Sequence, residues 1–328
     1  MKIPHYRELK QRTDSALKVA RDPKKTILVY TAILTGLSLL VSLLSQFLDY
    51  KISGTGGLSN LGSRSVLSTI QSILPIAQTV ILMALEMGYI HATLRFARKQ
   101  YADPGELKTG FRFFAPLLRM ILLQTLIYSL ILLAVTNLVV RAYLLLPFGQ
   151  PLLDAITPML DATGALDDQA LSALFLPMLP LLAAITAVFA LLAVPLAYGY
   201  RMANYRLIDH SREGARAALR NSRRMMRGNR FRLFKVDLHF WWYYLLTFLA
   251  TVICYGDQLL PLVGIELPIS DTAAYFLFYA VYLAVQACLF ILFRNRLEVT
   301  YATAYDAIRP QEDDGSVILG NIFDLARQ

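Results

Sequence analysis

Long apolar runs separated by short, cation-rich connectors dominate this chain. A helix rises about 1.5 Å per residue, so roughly 20 consecutive apolar residues reach across a hydrocarbon layer. Six runs meet that length: Ile27 to Leu48, Val66 to Leu94 with Pro75 inside it, Phe114 to Val140, Phe175 to Tyr200, Phe240 to Leu260 and Thr272 to Phe293. The pattern predicts an all-α, polytopic integral membrane protein. Residues 27–308 would form a transmembrane domain of six helices, preceded by residues 1–26 and followed by an acidic tail, 309–328. About 25 mostly polar residues precede the first run. That run is longer than a signal-peptide core and no A-x-A-like cleavage site follows it, so it reads as a span.

The connectors carry patterns of their own. In residues 1–26, Tyr6, Leu9, Thr13, Leu17 and Ala20 recur at helical spacing, with Arg7, Lys10, Arg12, Lys18 and Arg21 elsewhere on the surface, predicting an amphipathic helix. Asp22 and Pro23 read as the N-cap and first-turn proline of the first span. Asp103, Pro104 and Glu106 resemble a capping box opening a short helix before the third. Residues 54–62, rich in Gly and Ser, predict an outer loop. The stretch from Arg141 to Leu174 contains Pro147, Pro151 and Pro158 yet keeps Leu152, Leu153, Ile156, Met159 and Leu160, predicting a short surface-lying or re-entrant helix. Its aspartates lack the spacing of a calcium loop.

The segment 211–228 says most. Ser211 reads as an N-cap, Glu213 as a first-turn acid and Gly228 as a stop. Arg212, Arg216, Arg220, Arg223 and Arg227 follow one another by three or four residues and so share one helical face. Two readings stand side by side: a basic helix lying against anionic lipid or a partner, and a solvated loop that merely carries the charge bias of membrane topology. Nucleic acid is not expected, because no base-reading or stacking module accompanies the charge. In the tail, Glu312, Asp313 and Asp314 precede Ile318, Leu319, Ile322 and Phe323, a segment suited to folding back on the basic helices or binding a partner.

Composition sharpens the class. Of 328 residues 56% are apolar and 17% charged, and the mean hydropathy is +0.48. A soluble domain carries about a quarter charged residues, so this balance excludes one, and with it disorder and a collagen-like repeat. The two cysteines, Cys254 and Cys288, both lie in apolar runs and make no disulfide framework. The net charge of +9 is distributed unevenly: 29 Lys and Arg fall in the termini and alternate connectors, and only Lys51, Arg64 and Arg141 on the other side. By the positive-inside rule both termini and the basic connectors face the cytoplasm. Trp241, Trp242, Tyr243 and Tyr244 suit an interfacial belt.

The chain also resembles itself. Gly88-Tyr89-x-x-Ala92-x-x-Arg95 returns as Gly199-Tyr200-x-x-Ala203-x-x-Arg206, and Phe111-Arg112-Phe113-Phe114 as Phe231-Arg232-Leu233-Phe234. A unit of span, connector helix, basic-aromatic elbow and span is thus expected twice, an internal duplication of a helical hairpin, with the two ends of the chain as a third, split copy. In the elbows the aromatics anchor at the interface while Arg112, Arg230 and Arg232 reach phosphates. Any membrane-entry elbow would share some of this character.

The run from Ala203 to Asp209, then Ala217 to Phe234 with its Arg-Gly-Asn-Arg-Phe core at Arg227 to Phe231, then Asp237-Leu238, resembles the signature of a bacterial polytopic family known as domain of unknown function 975. The resemblance extends to span number and to Tyr301-x-x-x-Tyr305. It implies a multi-pass protein of the bacterial cytoplasmic membrane, related to the membrane domains of glycerophosphodiester phosphodiesterases, without their catalytic domain. The long outer loop and acidic tail depart from the pattern. No activity comes with the resemblance.

No phosphate-binding loop, nucleophile elbow or His-Glu-x-x-His motif is present, and His5, His91, His210 and His239 are scattered. No enzyme activity, cofactor or metal is therefore expected. Within the spans Glu86, Arg119, Gln124 and Gln286 stand out, since polar groups in hydrocarbon face a cavity or a partner. A pair between Glu86 and Arg119 is expected across the second and third spans. The leading expectation is a non-enzymatic membrane protein that binds anionic phospholipid headgroups, a membrane-protein partner or a second copy of itself through its basic helices, as an accessory of transport or envelope processes. The alternative is a transporter or channel with a polar path near Glu86.

Overall fold

The computed structural model describes residues 2–20, 23–54, 61–154, 168–210, 213–262, 264, 268 and 270–309, and every element among them is helical. The expected N-cap at Asp22, most of the outer loops, Ser211, Arg212 and the tail beyond Arg309 lie outside the described residues. In chain order the helices are α1 (Tyr6–Val19), α2 (Pro23–Gly54), α3 (Leu61–Ala97), a 3-10 segment (Pro104–Phe113), α4 (Phe114–Leu144), α5 (Asp168–Tyr200), α6 (Ala203–Asp209), α7 (Ala215–Met225), α8 (Arg230–His239), α9 (Trp241–Cys254), α10 (Gly256–Leu262), α11 (Asp271–Leu289) and α12 (Asn295–Ile308).

Among the described residues, five helical stretches are long and apolar enough to cross a membrane: 23–52, 65–97, 104–144, 178–209 and 272–308. The straight fifth span expected from Phe240 to Leu260 is not one rod. Phe240 (φ −104°, ψ 14°) leaves helical geometry, α8 and α9 meet at 64°, and α9 stops after 14 residues at Cys254. The pair supplies a sixth crossing only if it counts as one bent span. By contrast α3 runs uninterrupted through Pro75, which lacks an N–H; neighbouring hydroxyls from Ser72 and Thr79 bond backbone carbonyls there at 2.9 and 2.8 Å. The last crossing is continuous but widened: Phe290–Arg294 is a π turn joining α11 to α12, which shifts the face that α12 presents.

Apolar surface is distributed unequally. On α4, Leu122, Leu126, Leu130, Leu133 and Leu138 stay exposed, as do Leu39, Leu40, Leu43 and Phe47 on α2, the outward surface a bilayer would cover. The large buried cluster sits instead at the end carrying the basic connectors, where Leu9, Leu94, Met120, Met202, Leu207, Leu219, Leu233 and Tyr305 pack together. Helix α1 joins this end as its spacing predicts, burying Leu9, Thr13 and Ala16. Arg296 from α12 bonds Asp14 at 2.7 Å.

Backbone approach and ion pairs close that end. A Cβ at Gly110 would lie 1.9 Å from the Ala84 carbonyl oxygen and one at Gly88 2.2 Å from that of Leu107, so the 3-10 segment lies directly on α3. The expected capping box is absent: the Asp103 side chain makes no cap bond, and Glu106 turns to Arg95 and to His91 Nδ1 at 3.1 Å. Arg98 reaches Asp209 at 2.6 and 2.7 Å and Asp306 at 2.9 Å, fastening α3, α6 and α12 with one guanidinium. The first residues form a strap across α8, where the Ile3 amide donates to Asn229 Oδ1 (2.9 Å) and the Ile3 carbonyl accepts from Arg232 (2.6 Å). In the Arg141–Leu174 stretch, residues 150–154 are helical and Leu152 packs on Tyr143 and Leu181.

Candidate functional site

Helix α7 docks through its small face. Ala215, Ala218, Leu219 and Ser222 are buried, and Ser222 Oγ donates to the Gly199 carbonyl at 2.9 Å. Its entry is held by Glu213, which precedes the helix and accepts from Arg206 at 2.5 and 3.1 Å and from Asn221 at 3.0 Å. The Arg206 guanidinium keeps the Glu213 carboxyl below its ordinary range. With the apolar face spent, the arginines point outward. Arg216, Arg220, Arg223, Arg224, Arg227 and Arg230 line a pocket of about 510 Å³ floored by Leu123, Ile127, Leu219 and Tyr200. None of the six has an acidic partner among the described residues. The Arg223 guanidinium lies 5.8 Å from the Tyr200 ring, and the buried Arg230 Nε has no hydrogen-bond partner there. An apolar groove of about 520 Å³, lined by Arg119, Leu122, Leu123, Leu126 and Arg216, adjoins it along α4. Six cations above leucines suit an anionic head with an apolar tail, and guanidinium suits phosphate through bidentate bonds.

A second site lies deeper. Glu86, Gln124, Tyr128, Arg201, Asn204, Tyr205, Glu298 and Tyr301 surround a cavity of about 220 Å³ between α3, α4, α5 and α12. Arg294, carried in by the π turn, bonds Glu86 at 2.7 Å and lies 4.0 Å from Glu298. Tyr205 OH reaches Glu298 Oε2 at 3.4 Å. The Arg201 guanidinium rests 4.4 Å from the Tyr301 ring centre and has no carboxylate within ion-pair distance among the described residues. Asp237 accepts from Tyr198 at 2.5 Å and from Tyr301.

The structure sorts the residues singled out by sequence. Arg216, Arg220, Arg223 and Arg227 share one pocket, joined by Arg230 and by Arg224, which the spacing missed. Arg212 lies outside the described residues, and the helix begins at Ala215 with Gly214 as N-cap. Of the elbow arginines only Arg230 joins the pocket: Arg232 bonds the Ile3 carbonyl, and Arg112 is exposed and does not line it. Glu86 and Gln124 meet at the inner cavity, but the expected Glu86–Arg119 pair does not form. Arg119 precedes Gln124 by five residues, about 140° around the helix, and so faces the outer groove. Gln286 lies elsewhere, its buried Oε1 without a hydrogen-bond partner. Arg201, Glu298, Arg294 and Asp237 went unread because they fall at run boundaries, where charge is routinely assigned to the interface. Asp237-Leu238 and the Tyr301-x-x-x-Tyr305 spacing, both part of the family resemblance, were the signals that pointed here.

A family model described as "Protein of unknown function (DUF975)" matches residues 7–295. No curated protein and no solved structure matches the chain.

Proposed function

We propose, for a chain that belongs to the DUF975 family, a non-enzymatic membrane role in which the α7 region binds anionic phospholipid headgroups at the cytoplasmic leaflet. The observation that supports it is the arginine pocket of about 510 Å³, six guanidinium groups without acidic partners among the described residues, above Leu123 and Ile127. Each cation near an anionic surface contributes about 1 kcal/mol, and in a pocket the phosphate is also held by directed bonds. The positive-inside bias supports cytoplasmic termini in a bacterial inner membrane, with α8 and α9 as a sixth, bent crossing. The repeated Gly-Tyr-x-x-Ala-x-x-Arg sequence at Gly88 and Gly199, each followed by a short cytoplasmic helix, supports the hairpin duplication, although only Gly88 is in close backbone contact with its segment. Through this surface the protein serves as an accessory that organises lipid or a membrane partner.

The test replaces Arg216, Arg220, Arg223 and Arg227 with Gln in the full chain. Thermal stabilisation by phosphatidylglycerol in neutral detergent is then measured against phosphatidylcholine. The wild type is expected to gain stability with the anionic lipid and the variant to lose that gain; equal stabilisation of both proteins would reject the reading.

A second reading, a transporter or channel passing Glu86, is favoured by the 220 Å³ cavity that Glu86 and Gln124 line. Its test is solute flux in proteoliposomes: the reading requires that flux exist and that Glu86→Gln abolish it.

A further inference from the structure

The last turn of α5 separates two cavities. Ala197 and Arg201 line the inner polar cavity, and the same two residues line an outer groove of about 540 Å³. The groove is walled by Val194 and Tyr198 from α5 and by Phe234, Leu238, Trp241 and Tyr244 at the α8–α9 bend. These walls are apolar and exposed, Leu238 by 56% and Trp241 by 58%, so an acyl chain would recover surface that none of the described residues covers. Asp237 also borders the groove, but its two oxygens are occupied by the Tyr198 and Tyr301 hydroxyls. The strongest free polar group where groove meets cavity is the Arg201 guanidinium.

Inside the cavity, charge is balanced but incompletely paired. Arg201, Glu86 and Glu298 line the cavity, and Arg294, which does not line it, brings a second cation from beside it. Arg294 is committed to Glu86 at 2.7 Å, leaving Glu298 with longer contacts, 3.4 Å to Tyr205 and 4.0 Å to Arg294. The side-chain amides of Gln124 and Asn204 line the same space without hydrogen-bond partners among the described residues. A ligand of either net charge would leave one ion uncompensated within the membrane-spanning stretches, which is expensive. A ligand carrying both signs adds no net charge and answers Arg201 and Glu298 together.

From this arrangement we infer a second lipid site, distinct from the arginine pocket, for a zwitterionic phospholipid with a primary ammonium headgroup. The phosphate sits on Arg201, the ammonium reaches Glu298 with the Gln124 and Asn204 amides beside it, and an acyl chain lies in the groove over Trp241, Phe234 and Leu238. A primary ammonium donates three hydrogen bonds, whereas the trimethylated choline head donates none, so the site discriminates between them. This inference stands independently of the α7 reading, since it uses none of the six pocket arginines.

The experiment titrates full-length protein in neutral detergent with phosphatidylethanolamine, phosphatidylcholine and phosphatidylglycerol, reading bound lipid by native mass spectrometry. Phosphatidylethanolamine is expected to bind about tenfold more tightly than phosphatidylcholine, the worth of one charged hydrogen bond. Glu298→Gln is expected to erase that preference and Arg201→Gln to weaken both zwitterionic lipids by a similar factor. Phosphatidylglycerol binding, which reports on the α7 pocket, should persist in both variants. Val194→Trp fills the groove without touching a buried charge and should also displace phosphatidylethanolamine, which covers misfolding of the charge variants. Equal binding of the two zwitterionic lipids by the wild type, or a preference that survives Glu298→Gln, overturns the proposal. Water-soluble glycerophosphoethanolamine competing as well as the whole lipid overturns the acyl-groove component.

Discussion

The α7 pocket and the inner cavity lie on either side of the same short stretch of α5, with Tyr200 lining both, yet they handle charge in opposite ways. In the pocket six cations lie together without acids among the described residues. At the inner site Arg201, Glu86 and Glu298 line the cavity with Arg294 beside it, and tyrosine hydroxyls occupy Asp237 nearby. Water explains the difference. At the surface, solvent and counterions screen like charges, so a single-sign cluster costs little and stays available for a ligand. Glu86 and Arg201 are also partly exposed, but they lie within membrane-spanning stretches where lipid would replace that solvent, so their charge is balanced by the protein before any ligand arrives.

The largest effect expected from breaking this contrast comes from Arg294→Met, which strands Glu86 and Glu298. About 3 kcal/mol of stability should be lost, the lower end for breaking a buried pair because Glu86 is half exposed. A thermal melt in detergent reads the loss, and phosphatidylglycerol binding measured below the lowered midpoint should match wild type. Next in size is Ser222→Ala, which removes the bond that seats α7 on Gly199. A cost of about 1 kcal/mol is expected, together with weaker phosphatidylglycerol binding and an unaltered inner site. Smallest is the response to acid through Glu213. Its carboxyl is depressed from the ordinary 4.5 by Arg206, so the contribution to α7 docking is complete above that value and fades as pH falls through the depressed one. Hydrogen exchange across residues 213–225 should rise in that acidic window, and Glu213→Gln should flatten the dependence.

Sequence and structure agree most where a single physical rule decides. Apolar length located the five long crossings, and three-and-four spacing brought Arg216, Arg220, Arg223 and Arg227 to one pocket. Agreement fails where distant segments compete for one partner. Glu86 had a cation within reach on the neighbouring span, but helical phase turned Arg119 outward and the π turn delivered Arg294 from 208 positions away. Arg232, expected among the basic elbow residues, also donates one N–H to the Ile3 carbonyl. Neither contact follows from local periodicity, because each depends on how far-separated segments are placed against one another. The fifth run begins at Phe240, where the 64° bend falls and the polar α8 gives way to the apolar α9.

The clamp at Arg98 has a consequence for biogenesis. Its two acceptors, Asp209 and Asp306, emerge 111 and 208 residues after it. At roughly 5–20 residues per second the ribosome needs on the order of 10–40 s to deliver the second of them. Until then a guanidinium waits at the membrane face without its final ligand. The earlier helices are therefore made before the clamp can close, and closure waits for α12.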